Sequence, residues 1–338
     1  MRALSRTRRS IPVAPLLVLL AVLLSGCQSV PTRSARAHGD WSRGAHIGSA
    51  SLNSTVAMAI DASGAGAYLL WIANDDRDNQ RLRFAHVDAA GTLVSERLLE
   101  VEALRPNQPG LTRDAQGRLH ALWLARDGGD DRLYHALLDD AGALRAGPEV
   151  VSLGGAAVQS YTSFASFGEG IEVFWGALEG AAPGLYHVHL TEVGTDVDSR
   201  PLGFVGFDPV AARARDGTLH LVWKQIPESG RQSLHYGMFD AGARSMSGTA
   251  ELASFGVPTG LVSHRPSLGI AQGQAYVFWS LERRGGGQSQ PSAESRYVTF
   301  PLGHPEEASR AEPVPIPDAN HPEYHPIRSP FHVTEAAQ

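Results

Sequence analysis

The chain has 338 residues and a formal charge of −6, with 43% hydrophobic and 19% charged residues, 36 Gly and 21 Pro. That balance excludes a wholly disordered chain and a nucleic-acid binder working through a basic surface, so no nucleic-acid partner is expected. The glycine and proline content points to many turns, and the length suits two average domains or one large all-β domain.

The N-terminus reads as a processing signal. Arg2, Arg6, Arg8 and Arg9 form a basic region ahead of an apolar run from Ile11 to Leu24, which is short for a membrane span. Leu24-Ser25-Gly26-Cys27 follows and resembles the bacterial lipobox, an aliphatic residue and two small ones before a cysteine. The resemblance implies that residues 1–26 are a lipoprotein signal peptide and that Cys27 is the lipid attachment site. Gln28 and Ser29 lack the Asp that holds such proteins on an inner membrane, which favours the outer membrane of a diderm cell envelope. Without residues 1–26 the chain keeps 25 basic against 35 acidic residues, about −10. Cys27 is the only cysteine, so no intrachain disulfide can form. Residues 27–40 are polar and aperiodic and read as a lipidated tether.

A repeat occupies the middle of the chain. Five of six Trp fall at 71, 123, 175, 223 and 279, spaced by 52, 52, 48 and 56. Each closes a short apolar run, as in Ala67-Tyr-Leu-Leu-Trp71, Leu119-His-Ala-Leu-Trp123 and Leu219-His-Leu-Val-Trp223. Upstream lies another strand-like run, such as Pro109 to Asp114 or Pro209 to Arg213, then a turn carrying Gly66, Gly117, Gly170, Gly217 or Gly273. Downstream, Leu133-Tyr-His and its counterparts alternate with the period of two expected of half-buried strands. A turn such as Asp139-Asp-Ala-Gly142 leads to a fourth, weaker strand.

Four antiparallel strands in about fifty residues is the pattern of a propeller blade. The expected fold is an all-β propeller of five four-stranded blades over residues 41–303, with a sixth blade built from both chain ends as the alternative. Residues 304–338 are rich in Pro and His and read as a tail partly packed on the propeller. A monomer is expected.

The pattern Asp114-x-x-Gly117-x-Leu-His-x-x-Trp123, with Leu133-Tyr-His and Asp139-x-x-Gly142, resembles the blades of sialidase-like, BNR-repeat propellers. The resemblance covers roughly residues 51–303 and is strongest in repeats 2 and 4. It implies a blade type rather than an activity. The family's Asp-box, Ser-x-Asp-x-Gly-x-x-Trp, is reduced here to an Asp and a Gly, and the catalytic arginines of true sialidases are not identifiable.

In a propeller the channel mouth is fed by every blade and is the usual ligand site. The mouth positions here include Asn107, Tyr161, Asp208, His264 and Arg265, the expected ligand-binding set. Glycoside hydrolysis commonly needs two carboxyl groups, one protonated and one ionised, which makes Asp208 and Glu228 candidates. Sialidase-type chemistry would use Tyr161 as nucleophile, with Arg265 and Arg105 gripping a substrate carboxylate. Acidic surface loops are more commonly just solvated, and Asp208 before Pro209 also suits a plain turn role. No cofactor is expected. The acidic loops 75–78 and 127–131 offer oxygen ligands for Ca²⁺ without an ordered loop signature. His120 and His220 recur at equivalent strand positions, which argues for packing, and His321, His325 and His332 lie in the Pro-rich tail; no metal site is assigned. The expected function is non-catalytic binding of a glycan or an envelope protein, at a membrane held through the lipid. The alternatives are a sialidase-like glycoside hydrolase and a structural scaffold in an envelope complex.

Overall fold

The computed structural model describes residues 47–50, 55–64, 66–75, 79–101, 105–153, 155–166, 168–180, 183–191, 198–226, 231–256, 261–263, 265–283 and 292–313. The expected signal peptide and tether, with Cys27, as well as Glu228, His264 and the chain from residue 314 onward, lie outside the described residues.

Five antiparallel sheets follow one another along the chain. Blade 1 holds β1 (Ala57–Ile60), β2 (Ala67–Asn74), β3 (Gln80–Val87) and β4 (Leu93–Leu98). Blade 2 holds β5 (Asn107–Arg113), β6 (Leu119–Asp127), β7 (Asp130–Leu138) and β8 (Leu144–Val150). Blade 3 holds β9 (Ala156–Ala165), β10 (Ile171–Gly180), β11 (Gly184–Leu190) and β12 (Arg200–Pro201). Blade 4 holds β13 (Phe207–Arg213), β14 (Leu219–Gln225), β15 (Arg231–Asp240) and β16 (Ser245–Gly256). In blade 5, β17 (Leu261–Ser263) and β18 (Ser267–Ala271) share the inner place against β19 (Gln274–Arg283), followed by β20 (Ser292–Pro301) and β21 (Glu312–Pro313). The expected five-bladed propeller is borne out. Blade 5 runs past residue 303, because β21 pairs Glu312 with Tyr297 and Pro313 with Arg296.

The repeated Trp sits on the same face of every second strand, turned toward the preceding blade. Trp123 packs with Tyr68 and Leu70 of blade 1, Trp175 with Leu122 and Leu133 of blade 2, Trp223 with Phe174 of blade 3, and Trp279 with Val210 and Leu234 of blade 4. An aromatic burying roughly 200 Å² contributes on the order of 5 kcal/mol at about 25 cal/mol per Å², before entropy is counted. Trp71 of blade 1 packs with Ile47 instead, and its Nε1–H donates to the Ser49 carbonyl at 3.1 Å. Among the described residues no strand of blade 5 packs broadly on blade 1, and Met58 and Ile60 on β1, with Val56 just before it, are 61%, 51% and 56% exposed.

The recurring turn residues have local causes. Gly117, Gly170, Gly217 and Gly273 adopt φ of +83°, +81°, +89° and +72°, where a Cβ is disfavoured. Between third and fourth strands, Asp139 Oδ1 accepts from the N–H groups of Ala141 and Ala143, and Asp88 Oδ1 accepts from those of Ala90 and Thr92. An aspartate that satisfies two turn amides is an Asx-turn device, which accounts for the repeated Asp-x-x-Gly.

Candidate functional site

At the channel mouth the inner strands are bulged. The β5–β6 register skips from Asn107↔Leu124 to Gly110↔Leu122, and the β13–β14 register from Phe207↔Lys224 to Val210↔Val222. The bulge residues Gln108 and Asp208 take φ of +45° and +51°. Bulges re-aim side chains, and these turn inner-strand residues toward neighbouring blades.

Three residues predicted from the sequence meet there. One guanidinium nitrogen of Arg265, from blade 5, donates to the Tyr161 carbonyl of blade 3 and, at 2.9 Å, to the Pro209 carbonyl of blade 4. The Tyr161 hydroxyl is engaged with two backbone carbonyls, donating toward Gln108 O at 2.6 Å and Leu122 O at 2.9 Å. Gly110 permits this approach, since a Cβ there would stand 2.6 Å from that hydroxyl. Burial drives the Tyr161 phenol far above its ordinary pKa, so its proton is firmly held. The backbone N–H of Asp208 donates to Ser160 Oγ at 2.8 Å, and its carboxylate pairs with the buried Lys224 ammonium at 2.5 Å. That ammonium also lies 4.7 Å from the centre of the Phe207 ring. Asn107 is half-buried beside Gln108, whose amide donates to the Gln159 carbonyl at 2.7 Å. The mouth is therefore a knot that ties blades 2 to 5 together.

Two acids of the acidic loops have protein partners. Asp75 accepts from the Asn79 backbone at 2.9 Å and pairs with Arg81 at 3.3 Å, while Asp131 lies 3.6 Å from Arg126. Asp76, Asp78 and the Asp127 side chain lie outside the described residues. Among the described residues, His304, Glu306 and Glu307 gather on an exposed 3-10 turn, where His304 Nδ1 and Glu306 are hydrogen-bonded at 3.0 Å.

A groove of about 420 Å³ opens at the opposite end of the inner strands, where β1, β5 and β9 finish. Its apolar wall includes Met58, Ile60 and Phe164; its polar wall includes Asp61, Thr112, Arg113, Asp114 and Ser163. The volume falls within the roughly 300–1,000 Å³ of small-molecule sites. Thr112 and Ser163 hydroxyls bond each other at 2.8 Å across blades 2 and 3. Hydrogen bonds from Ser63, aided by Gly66 and His86 against some desolvation, bring Asp61 to about 2. Burial alone would raise Asp114, but Arg118 at 2.7 Å and His120 at 3.2 Å outweigh it and hold the carboxyl low. Both groove carboxylates are thus ionised and engaged.

Behind the groove, polar chains run into the blades. In blade 2, Asp114, His120, His135 and Glu149 form a line, with His135 Nδ1 and Glu149 3.5 Å apart. In blade 3, Glu172 is 2.6 Å from His187, 3.0 Å from His189 and 3.0 Å from Ser166. In blade 4, His220 and Tyr236 are bonded at 2.5 Å. His120 and His220 are buried, each hydrogen-bonded within its own blade. Their partners were not anticipated, because each sits on the next strand; the repeated Leu-Tyr-His of the third strands was the available signal.

No family model matches this chain, and no curated protein matches it significantly. Among solved structures, a polysaccharide lyase of a new family, PL25 ulvan lyase, aligns with TM-score 0.51 and 13% identity over 78% of this chain and 71% of its own. A protein of unknown function from Dyadobacter fermentans DSM 18053 aligns with TM-score 0.48 and 11% identity, over 73% and 76% of the two chains. An endo-arabinase from Bacteroides thetaiotaomicron VPI-5482 aligns with TM-score 0.41 and 10% identity, over 70% and 92%. At these identities the likeness is one of fold.

Proposed function

We propose that the chain is an exported, lipid-anchored β-propeller that binds a glycan without cleaving it, in the groove where β1, β5 and β9 end. The observation that carries this reading is the state of the groove's carboxyl groups. Glycoside hydrolysis commonly requires one carboxyl kept protonated as an acid. Asp61 and Asp114 are both held low instead, by Ser63 and by Arg118 with His120. Among the described residues, every carboxyl with a resolved shift lies below its ordinary value. The groove's mixture of an aromatic ring, aliphatic side chains and paired hydroxyls suits a sugar ring, which presents both apolar faces and hydroxyl edges. The ulvan lyase, the similar structure with the higher TM-score, is a polysaccharide enzyme by its description, which agrees with a glycan ligand here. The anchor rests on Leu24-Ser25-Gly26-Cys27.

The test is calorimetric titration of the full chain, purified in detergent, with a panel of neutral and acidic oligosaccharides, each mixture then analysed by mass spectrometry. Saturable binding with the saccharide recovered intact is the expected result. Cleavage products would replace this reading with the glycoside hydrolase. Neither binding nor cleavage by folded protein would replace it with the envelope scaffold.

A further inference from the structure

Arg113 and Arg213 occupy the same place in blades 2 and 4. Each ends its inner strand, in the last register pair before the turn, Arg113↔Leu119 and Arg213↔Leu219. The two side chains have different fates. Arg213 donates to the Ala165 carbonyl of blade 3, with its guanidinium carbon 5.7 Å from the centre of the Phe164 ring. The Arg113 side chain lines the groove and makes no hydrogen bond or ion pair among the described residues. Its Nε is shielded and unpartnered, and one terminal nitrogen lies against Gly117, where a Cβ would come within 2.7 Å. The groove's two acids do not neutralise it. Ser63 holds Asp61 through its N–H at 2.9 Å and its hydroxyl at 2.6 Å, and Arg118 and His120 hold Asp114.

A charged guanidinium beside a cavity, with its donors unengaged, is a fork awaiting a planar anion. We infer that Arg113 makes the groove selective for a glycan carrying a carboxylate, a uronic-acid unit whose two oxygens take the terminal N–H groups of Arg113 while the sugar ring lies against the exposed Met58 and Ile60 side chains of the groove. This deepens the glycan-binding reading and rests on it. The chain's formal charge of −6 repels anions in general, so the preference comes from this local site and not from the overall field.

The experiment titrates the full chain with an oligogalacturonide and with its methyl ester, which keeps the sugar and removes the charge. Esterification should weaken binding about tenfold or more, the range of a charge-assisted pair. Arg113→Gln should make the two ligands equal, whereas Arg213→Gln should lower stability and keep the preference. Arg113→Lys, which keeps the charge and loses the fork, should recover part of the preference and guards against a Gln variant that fails to fold. If the ester binds as tightly as the acid, or folded Arg113→Gln keeps its preference, the inference is overturned while glycan binding stands. If folded protein binds neither ligand nor any neutral saccharide of the panel, both readings fall together.

Discussion

His120 Nδ1 and His135 Nε2 meet at 3.0 Å inside blade 2, with both rings shut off from water. His120 Nε2 faces the Asp114 carboxylate at 3.2 Å, so the network assigns its proton to Nε2 and makes Nδ1 the acceptor from His135. Burial first, and the neighbouring His135 second, lower the His120 pKa from 6.5 to about 4.

This depression has a definite sign. Between about 6.5 and about 4 the unfolded chain takes up a proton that folded His120 refuses, so stability is whole above that window and falls as pH drops through it. Full titration of His120 corresponds to up to ~3 kcal/mol. Burial lowers His220 and His235 as well, adding in the same direction. Urea midpoints should fall as the buffer goes from about pH 7 to about pH 5, and His120→Gln should flatten that fall. A midpoint that stays level across the range would dismiss the account.

Glu172 acts lower on the scale. Burial pushes it up, but hydrogen bonds from His187 and His189 outweigh that and bring it from 4.5 to about 2. Its contribution is present above about 4.5 and lost as pH falls toward 2. Acid unfolding should therefore continue to steepen below the histidine window, and Glu172→Gln should reduce that second stage, leaving the share of the other lowered carboxyls such as Asp61 and Asp114. The check is the same denaturation series extended to acid; a Gln variant with an unchanged acid limb would contradict it.

Tyr161→Phe separates a structural role from a chemical one. The change keeps the ring and removes the donor shared by the buried carbonyls of Gln108 and Leu122. The expected cost is about 1–3 kcal/mol of folding stability. Saccharide affinity should be unchanged, since the hydroxyl lies at the mouth and the groove at the other end of the inner strands. Loss of a measured turnover with unaltered stability would restore the nucleophile.

Much of the fold was legible because each blade repeats the same physical requirement. From blade 2 onward one Trp per blade faces the preceding blade, and in blades 1, 2 and 4 one Asp satisfies two amides of the turn, so both recur at readable spacing. The groove was not legible. Met58, Thr112 and Ser163 are ordinary residues on three separate inner strands, and no local pattern announces that they share a cavity. The bulges were hidden too, since Gln108 and Asp208 adopt positive φ without the glycine that would mark it. Arg113 and Arg213 did leave a trace, at matching places in the runs opened by Pro109 and Pro209.

Asp208→Asn is the natural test of a carboxylate at the mouth, and its result depends on Lys224. Lys224 is 2% exposed, and its ammonium stands 2.5 Å from the Asp208 carboxylate. Replacing the carboxylate by an amide takes a negative charge away from beside the buried ammonium, a change that is costly even when other contacts remain. Because Asp208 itself is part-exposed, the expected destabilisation is about 2 kcal/mol, below the range for a fully buried pair. Lys224→Met should cost less, since it removes the buried charge and leaves a carboxylate with access to water. The double variant Asp208→Asn with Lys224→Met should regain part of the loss, because it buries no unpaired ion. Urea denaturation of the four proteins reads this cycle directly. If Asp208→Asn is as stable as the parent, the pair contributes nothing to folding, and any lost binding or turnover would then report on a ligand at the mouth.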